Sequence, residues 1–448
     1  MAIVVAIAGM AVLGVGLART AAMPAPAATP RNVAGGPSAL PGSGSIPEVS
    51  APPSTPSGST PPATVGPGSS PGPEPSGGPT LAERRMATLA VSLQAELDRV
   101  RARLAIPGAA VTILFPDGSR WFGGSGLADI AARTPVTATT AFALASISKT
   151  YTSALVLQLV GEGRLRLSDP AAGLLPPLRL AIDRRITVAM LLNHTSGLAD
   201  YFLNPKIDRP LQSRPTAMWS ADQALGYVGK SVAPPGARYF YSNTNYLLLG
   251  LIAERLTGEP LGVSIQTRFL EPLGLAATWD QIDTKARATL AHGYRLPGTK
   301  LTAKAVDLAD GSGIAPFRSV VTAAGGAGAM AGTTDDLARW AQALYGGRVL
   351  GPDGTALLLG GFSPTTPHLP GVPYGYGVQA FSVDGHPSLG HSGRLLGFRG
   401  AVRQFPIDGL TIAVLTNQSR ADPGEIVRAL LNVIFAPPLA CRICSTPD

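Results

Sequence analysis

Apolar residues recur at helical spacing through Leu89, Leu93, Leu97, Val100 and Leu104, the signature of a helix with one buried face. Just ahead of them, Thr80-Leu81-Ala82-Glu83 has the form of a capping box, in which the first side chain and the fourth satisfy each other's backbone amides. The period then changes. Ala109–Phe115 and Arg120–Gly126 read as strands on either side of Pro116-Asp117-Gly118-Ser119, a hairpin signal. Phe398–Gln404 and Leu410–Thr416 flank Pro406-Ile407-Asp408-Gly409 in the same way. Between these pairs the pattern is mainly helical, at about 150–162, 245–256, 260–270 and 334–345, with a last helix near 424–434. Strands at both ends and helices between them predict an α+β body whose terminal strands join in one sheet.

The first 79 residues follow a different pattern. Ala2–Ala18 is an unbroken apolar and glycine run closed by Arg19, between the length of a secretory signal core and that of a spanning helix. Small residues follow it, so residues 1–23 are expected to be a signal peptide or membrane anchor, and the body is expected to be exported, secreted or held at the outer face of the membrane. Residues 24–79 carry 16 of the 42 prolines and no apolar periodicity, which predicts a disordered, semi-rigid spacer. The globular domain is expected over 80–436. A tail over 437–448 holds the only two cysteines, Cys441 and Cys444, as Cys-x-x-Cys. No second Cys/His pair accompanies them, so a zinc site is not indicated, and an incidental or disulfide-closed pair is expected.

The net charge of +8 falls entirely on the body, yet its arginines are scattered or in short pairs such as Arg84-Arg85. Nucleic-acid recognition wants clustered cations with aromatics between them, and is not expected.

Three segments could carry chemistry. In Phe142-Ala143-Leu144-Ala145-Ser146-Ile147-Ser148-Lys149, a helix starting at Ser146 puts Ser146 and Lys149 on one face. A serine hydroxyl needs a base, and a lysine becomes one when burial and neighbouring cations lower its pKa. Ser-x-x-Lys by itself fits a surface helix start equally well. In Tyr239-Phe240-Tyr241-Ser242-Asn243, Tyr241 and Asn243 alternate about Ser242 and can face the same way. A phenol beside ammonium groups ionises more readily, and an amide can position an acyl group; a tyrosine-capped loop before a helix is the plainer reading. In Gly390-His391-Ser392-Gly393-Arg394, His391 could donate a hydrogen bond or carry charge into a cleft, or be a structural histidine. Gly393 would let a substrate approach the backbone closely.

Taken in order, Ser146-x-x-Lys149, Tyr241-Ser242-Asn243 and His391-Ser392-Gly393 resemble the penicillin-recognising serine hydrolases, in particular the branch of class C β-lactamases, DD-carboxypeptidases, esterases and D-amino-acid amidases. Leu191–Leu198, Phe269–Leu275 and Thr333–Arg339 resemble the same branch, so the likeness spans about 85–435. It implies an antiparallel β-sheet flanked by helices beside a mostly helical second lobe, with the cleft between them. It also implies an acylated nucleophile at Ser146, a general-base partner at Lys149 and a proton-relay phenol at Tyr241. Asn243, His391, Ser392, Gly393 and Arg394 would bind substrate, with the amides of Ser146 and Arg394 as oxyanion hole. No metal and no cofactor are implied.

Two departures qualify the substrate. No Lys-Thr-Gly occurs, so the permanent cation common at the position of His391 is missing, which disfavours β-lactamase activity. No arginine lies between Arg348 and Arg394 to hold a substrate carboxylate, leaving Arg394 or Arg399 as substitutes. The expected function is a D-alanyl-D-alanine carboxypeptidase-like peptidase acting on peptidoglycan stem peptides. The alternatives are an esterase or D-amino-acid amidase, and, outside enzymes, a surface binding module. Gly-x-Ser-x-Gly occurs only at Gly68–Gly72 in the spacer, and His-Glu-x-x-His does not occur, so other hydrolase chemistries lack their signatures. Loops around 199–219 and 276–320 are expected to wall the cleft.

Overall fold

The computed structural model describes residues 80–296, 304–362 and 372–436. The proposed leader, spacer and Cys-x-x-Cys tail lie outside the described residues. No helix among the described residues is long and apolar enough to cross a membrane.

The body is built on a seven-stranded antiparallel sheet. Its strands are β1 (Gly108–Leu114), β2 (Arg120–Asp129), β3 (Thr134–Pro135), β4 (Gln379–Val383), β5 (His386–Leu395), β6 (Phe398–Phe405) and β7 (Leu410–Thr416), in the order β3-β2-β1-β7-β6-β5-β4. The expected joining of the two chain ends is its centre: β1 pairs with β7 with Val111 opposite Val414. Both strands are buried along their whole length, which explains why apolar residues fill both of their faces instead of alternating with charged ones. Gly118 and Gly409 turn the two hairpins in the left-handed conformation, φ +84° and +68°.

Each face of the sheet buries a separate core. On one face lie α1 (Leu81–Arg103) and α5 (Gly424–Ile434), with Leu93, Leu97, Val100 and Leu104 packed on Val111, Ile113, Ile412 and Val414. The other face carries the larger core and the helices α2 (Ser148–Gly161), α3 (Asn243–Thr257) and α4 (Thr334–Tyr345). The helix expected at 260–270 is α-helical only over Leu261–Ile265 and continues as a wider π-type turn over Gln266–Leu270. α2 is buried almost all round, polar residues of its first turns included, as suits a helix with neighbours on every side. Its Tyr151 stacks on Trp340 of α4 at 4.1 Å between ring centroids, and the Trp340 indole donates to Thr150 Oγ1 at 2.9 Å. The N-terminus of α2 is thus fixed between the sheet, α3 and α4, and that is where the candidate chemistry lies.

Candidate active site

The chain enters α2 through a single 3-10 turn, Ala145–Ile147, so Ser146 lies just ahead of the helix rather than at its first residue. Ala145 sits at φ +51°, a strained conformation for a residue with a Cβ. It is held from outside: Leu144 N donates to Met330 O at 2.9 Å, and Ser148 Oγ accepts from Met330 N at 3.0 Å. The turn therefore cannot relax without breaking its contacts with the Met330–Gly332 strand.

Lys149 lies one turn further on and is completely buried. Its Nζ is 3.1 Å from Ser146 Oγ, 2.8 Å from Asn243 Oδ1 and 2.8 Å from Ala327 O. Burial pushes its pKa down to about 7, against the opposing pull of the Asp200 carboxylate. Two of its three partners can only accept a hydrogen bond; Ser146 alone can donate one. When the amine loses its proton, its lone pair has a single productive direction, towards the Ser146 hydroxyl.

Tyr241 and Asn243 arrive together at the start of α3. The Tyr241 hydroxyl hydrogen-bonds Ser146, and Lys149 Nζ lies 5.0 Å from the Tyr241 ring centroid. The expected easing of phenol ionisation does not hold in the free protein. Burial raises the Tyr241 pKa well above its usual value, and the bond to Ser146 only partly opposes this. Asn243 also departs from expectation. Its oxygen accepts from Lys149 and its amide nitrogen donates to Asp200 Oδ2 at 2.8 Å, so both ends of a buried side chain are already engaged.

His391 is buried on β5, with Nδ1 donating to Ser392 O at 2.6 Å and Nε2 accepting from Tyr374 Oη at 2.9 Å. Burial, aided by the Lys149 charge, pushes its pKa down to about 3. It is a neutral side chain and brings no charge to the cleft. Gly393 meets protein rather than an open approach: a Cβ there would lie 2.3 Å from Leu144 O and 3.3 Å from Ala145 Cβ. It lets β5 run against the turn that carries Ser146. Gly393→Ala is therefore expected to lower the melting temperature and cut turnover more than tenfold, on the order of 1–3 kcal/mol for an overpacked site. Thermal unfolding and kinetics on the same preparation check this.

Ser392 N donates to Gln379 Oε1 at 3.1 Å, and Ser392 Oγ lies 3.3 Å from the same oxygen. Amides two residues apart on a strand point to the same edge. The amide of Arg394 therefore points to the edge that β4 leaves uncovered, since β4 pairs with β5 only as far as Gly390. The Arg394 side chain is partly buried, which lowers its pKa.

Sequence reasoning missed His194, Asp200, Tyr246, Tyr374 and Gln379. His194 accepts at Nδ1 from Ser242 N (3.2 Å) and Asn245 Nδ2 (3.1 Å), and packs against Tyr241, Tyr374 and Tyr246 with centroids 4.3, 4.8 and 5.2 Å away. Its segment, Leu191–Leu198, is bonded to the chain entering α3: Phe240 N donates to His194 O and Ser196 Oγ to Asn245 Oδ1. It clamps the approach to α3.

The Beta-lactamase family model matches residues 93–434. The chain belongs to the beta-lactamase family. This family member is 30% identical over 375 residues to Penicillin-binding protein 4 of Amycolatopsis lactamdurans, covering 78% of this chain and 93% of that one. Its fold is similar to the D-stereospecific amidohydrolase from Streptomyces sp., with a TM-score of 0.66, 26% identity, and coverage of 78% and 98%. A similar match, also with a TM-score of 0.66, is the D-amino acid amidase from Ochrobactrum anthropi SV3, at 23% identity with coverage of 78% and 98%. The beta-lactamase fold and the serine-hydrolase class follow from these matches.

Proposed function

We propose that this chain cleaves amide bonds whose acyl part is a D-amino acid, through an acyl-enzyme on Ser146, and that it favours an uncharged leaving group, as a D-amino-acid amidase does. The observation that carries the chemistry is the buried Lys149 amine with Ser146 as its one donating partner. Neutral Lys149 takes the Ser146 proton as Oγ attacks the acyl carbon. The oxyanion is held by the amides of Ser146 and Arg394. The Tyr241 phenol, protonated at rest, gives its proton to the departing nitrogen and is replenished from Lys149. In deacylation the same groups take a proton from water and return one to Ser146 Oγ.

The leaving-group preference rests on charge. A carboxypeptidase must hold a free carboxylate, whereas His391 is neutral and Arg399 is buried with Nη1 donating to Arg420 O at 2.9 Å, which leaves that task to the partly buried Arg394. The name of the Streptomyces relative agrees with an amidohydrolase reading. The D-alanyl-D-alanine carboxypeptidase reading stays as the second, favoured by the likeness to a penicillin-binding protein along most of both chains. The apolar run Ala2–Ala18 and the proline-rich stretch after it support action outside the cytoplasm in either case.

The full-length protein is assayed for ammonia from D- and L-alanine amide and for D-alanine from an N-acyl-D-Ala-D-Ala peptide. Ammonia from the D-amide alone is the expected result. D-Alanine released from the peptide, with no ammonia from the amide, establishes the second reading, and silence on both overturns the amide-hydrolase proposal.

A further inference from the structure

The loop that supplies Asp200 is pinned to the first turn of α3. Thr244 Oγ1 donates to Ala199 O at 2.6 Å, and Tyr201 N donates to Thr244 Oγ1 at 3.3 Å. Asp200 caps the short Tyr201–Leu203 turn through Oδ1, which accepts from Phe202 N at 3.0 Å. Its other oxygen accepts from Asn243 Nδ2 at 2.8 Å. A carboxylate is an acceptor only, so it dictates which end of the Asn243 amide faces it. The opposite end, Oδ1, is thereby turned to Lys149.

We propose that Asp200 is a positioning residue, which locks the Asn243 amide with its oxygen on Lys149 and so governs when that lysine serves as a base. This rests on the Ser146–Lys149 reading and deepens it. The chain of contacts runs Asp200–Asn243–Lys149–Ser146, with no member open to solvent by more than a few per cent. Asp200 engages one of the two amide hydrogens of Asn243.

The other ionisable groups around the pair give it no competing anion. His194 and His391 face Lys149 and are neutral; Tyr241 and Tyr246 lie under its Nζ with raised pKa values; Tyr201 beside Asp200 has a raised pKa too. Among the described residues Asp200 is the one carboxylate acting on Lys149, and burial lifts its own pKa to about 6. Removing its charge makes protonated Lys149 less stable, so the amine becomes neutral at lower pH.

The test uses Asp200→Asn, which keeps the turn cap because asparagine caps as well as aspartate. Asp200→Ser, also a capping residue, is the second variant, and Asp200→Glu retains the charge. The probe is p-nitrophenyl acetate with full-length protein, and the readout is the rate of the Ser146-dependent acetyl adduct from pH 5 to 9, with Ser146→Ala as background. The wild-type rate is expected to rise through a midpoint near the Lys149 value of about 7. In Asp200→Asn and Asp200→Ser that midpoint moves down by about one pH unit or more, the scale of a lost neighbouring charge. Asp200→Glu leaves it near wild type. A lower plateau with an unmoved midpoint makes Asp200 merely structural and overturns the inference, as does a midpoint that moves up. A wild-type protein with no Ser146-dependent adduct overturns the hydrolase reading itself, and the two failures are told apart in the same experiment.

Discussion

Ser146→Ala is expected to abolish both turnover and adduct formation with any acyl donor, a loss of roughly ten-thousand-fold or more. The fold should not notice. Ser146 is small, its backbone turn is held by Leu144, Ser148 and Met330, and its hydroxyl is one of three partners of Lys149. Intact mass after incubation with a penicillin or an activated ester reads the adduct, and thermal unfolding reads the fold, with a change expected within about 1 kcal/mol. Wild-type hydrolysis in the variant would remove Ser146 from the mechanism.

Lys149→Met carries the second large effect. Methionine fills most of the lysine volume without a base, so acylation is expected to fall roughly a thousandfold while the serine stays in place. Its stability signature is separate. In the unfolded chain Lys149 is protonated up to about 10.5, whereas in the fold it is neutral above about 7. Between those values the unfolded state binds the extra proton, so this group makes stability rise with pH through that window. Methionine removes the contribution. Denaturant unfolding at pH 7 and pH 9 should therefore show a smaller gain for Lys149→Met than for the wild type. An equal gain would mean that Lys149 is charged in the native protein, and an unchanged acylation rate would assign the base elsewhere.

What could be read from the chain is what local spacing encodes. The face of α1, the two hairpins and the Ser146–Lys149 interval depend on neighbours within a few residues, and the structure has them at nearly the expected bounds. The central strands were legible because Ala109–Leu114 and Leu410–Thr416 are short runs of small, apolar and β-branched residues. Three properties were not legible, and each depends on tertiary placement. His391 was open to either charge state until its burial against Tyr374 was known. Asn243 looked free for substrate because nothing in its own segment announces Asp200, which arrives from a loop 43 residues away in sequence. Gly393 read as room for a ligand, and the room is filled by Leu144 O. Asp200 itself lies two residues past Leu198, so the acidic residue beside that segment is the signal in the sequence that points to it.

The pairing of β1 with β7 ties the order of synthesis to the order of folding. A chain emerging from the ribosome presents β1 and β2 early, then waits for almost the whole domain before the strand that completes β1 is translated. Until Leu410–Thr416 emerges, β1 has an unpaired apolar edge, and the hairpin of β5 and β6 has nowhere to dock. Premature termination before residue 410 accordingly yields no weakened enzyme but a molecule whose sheet lacks its middle.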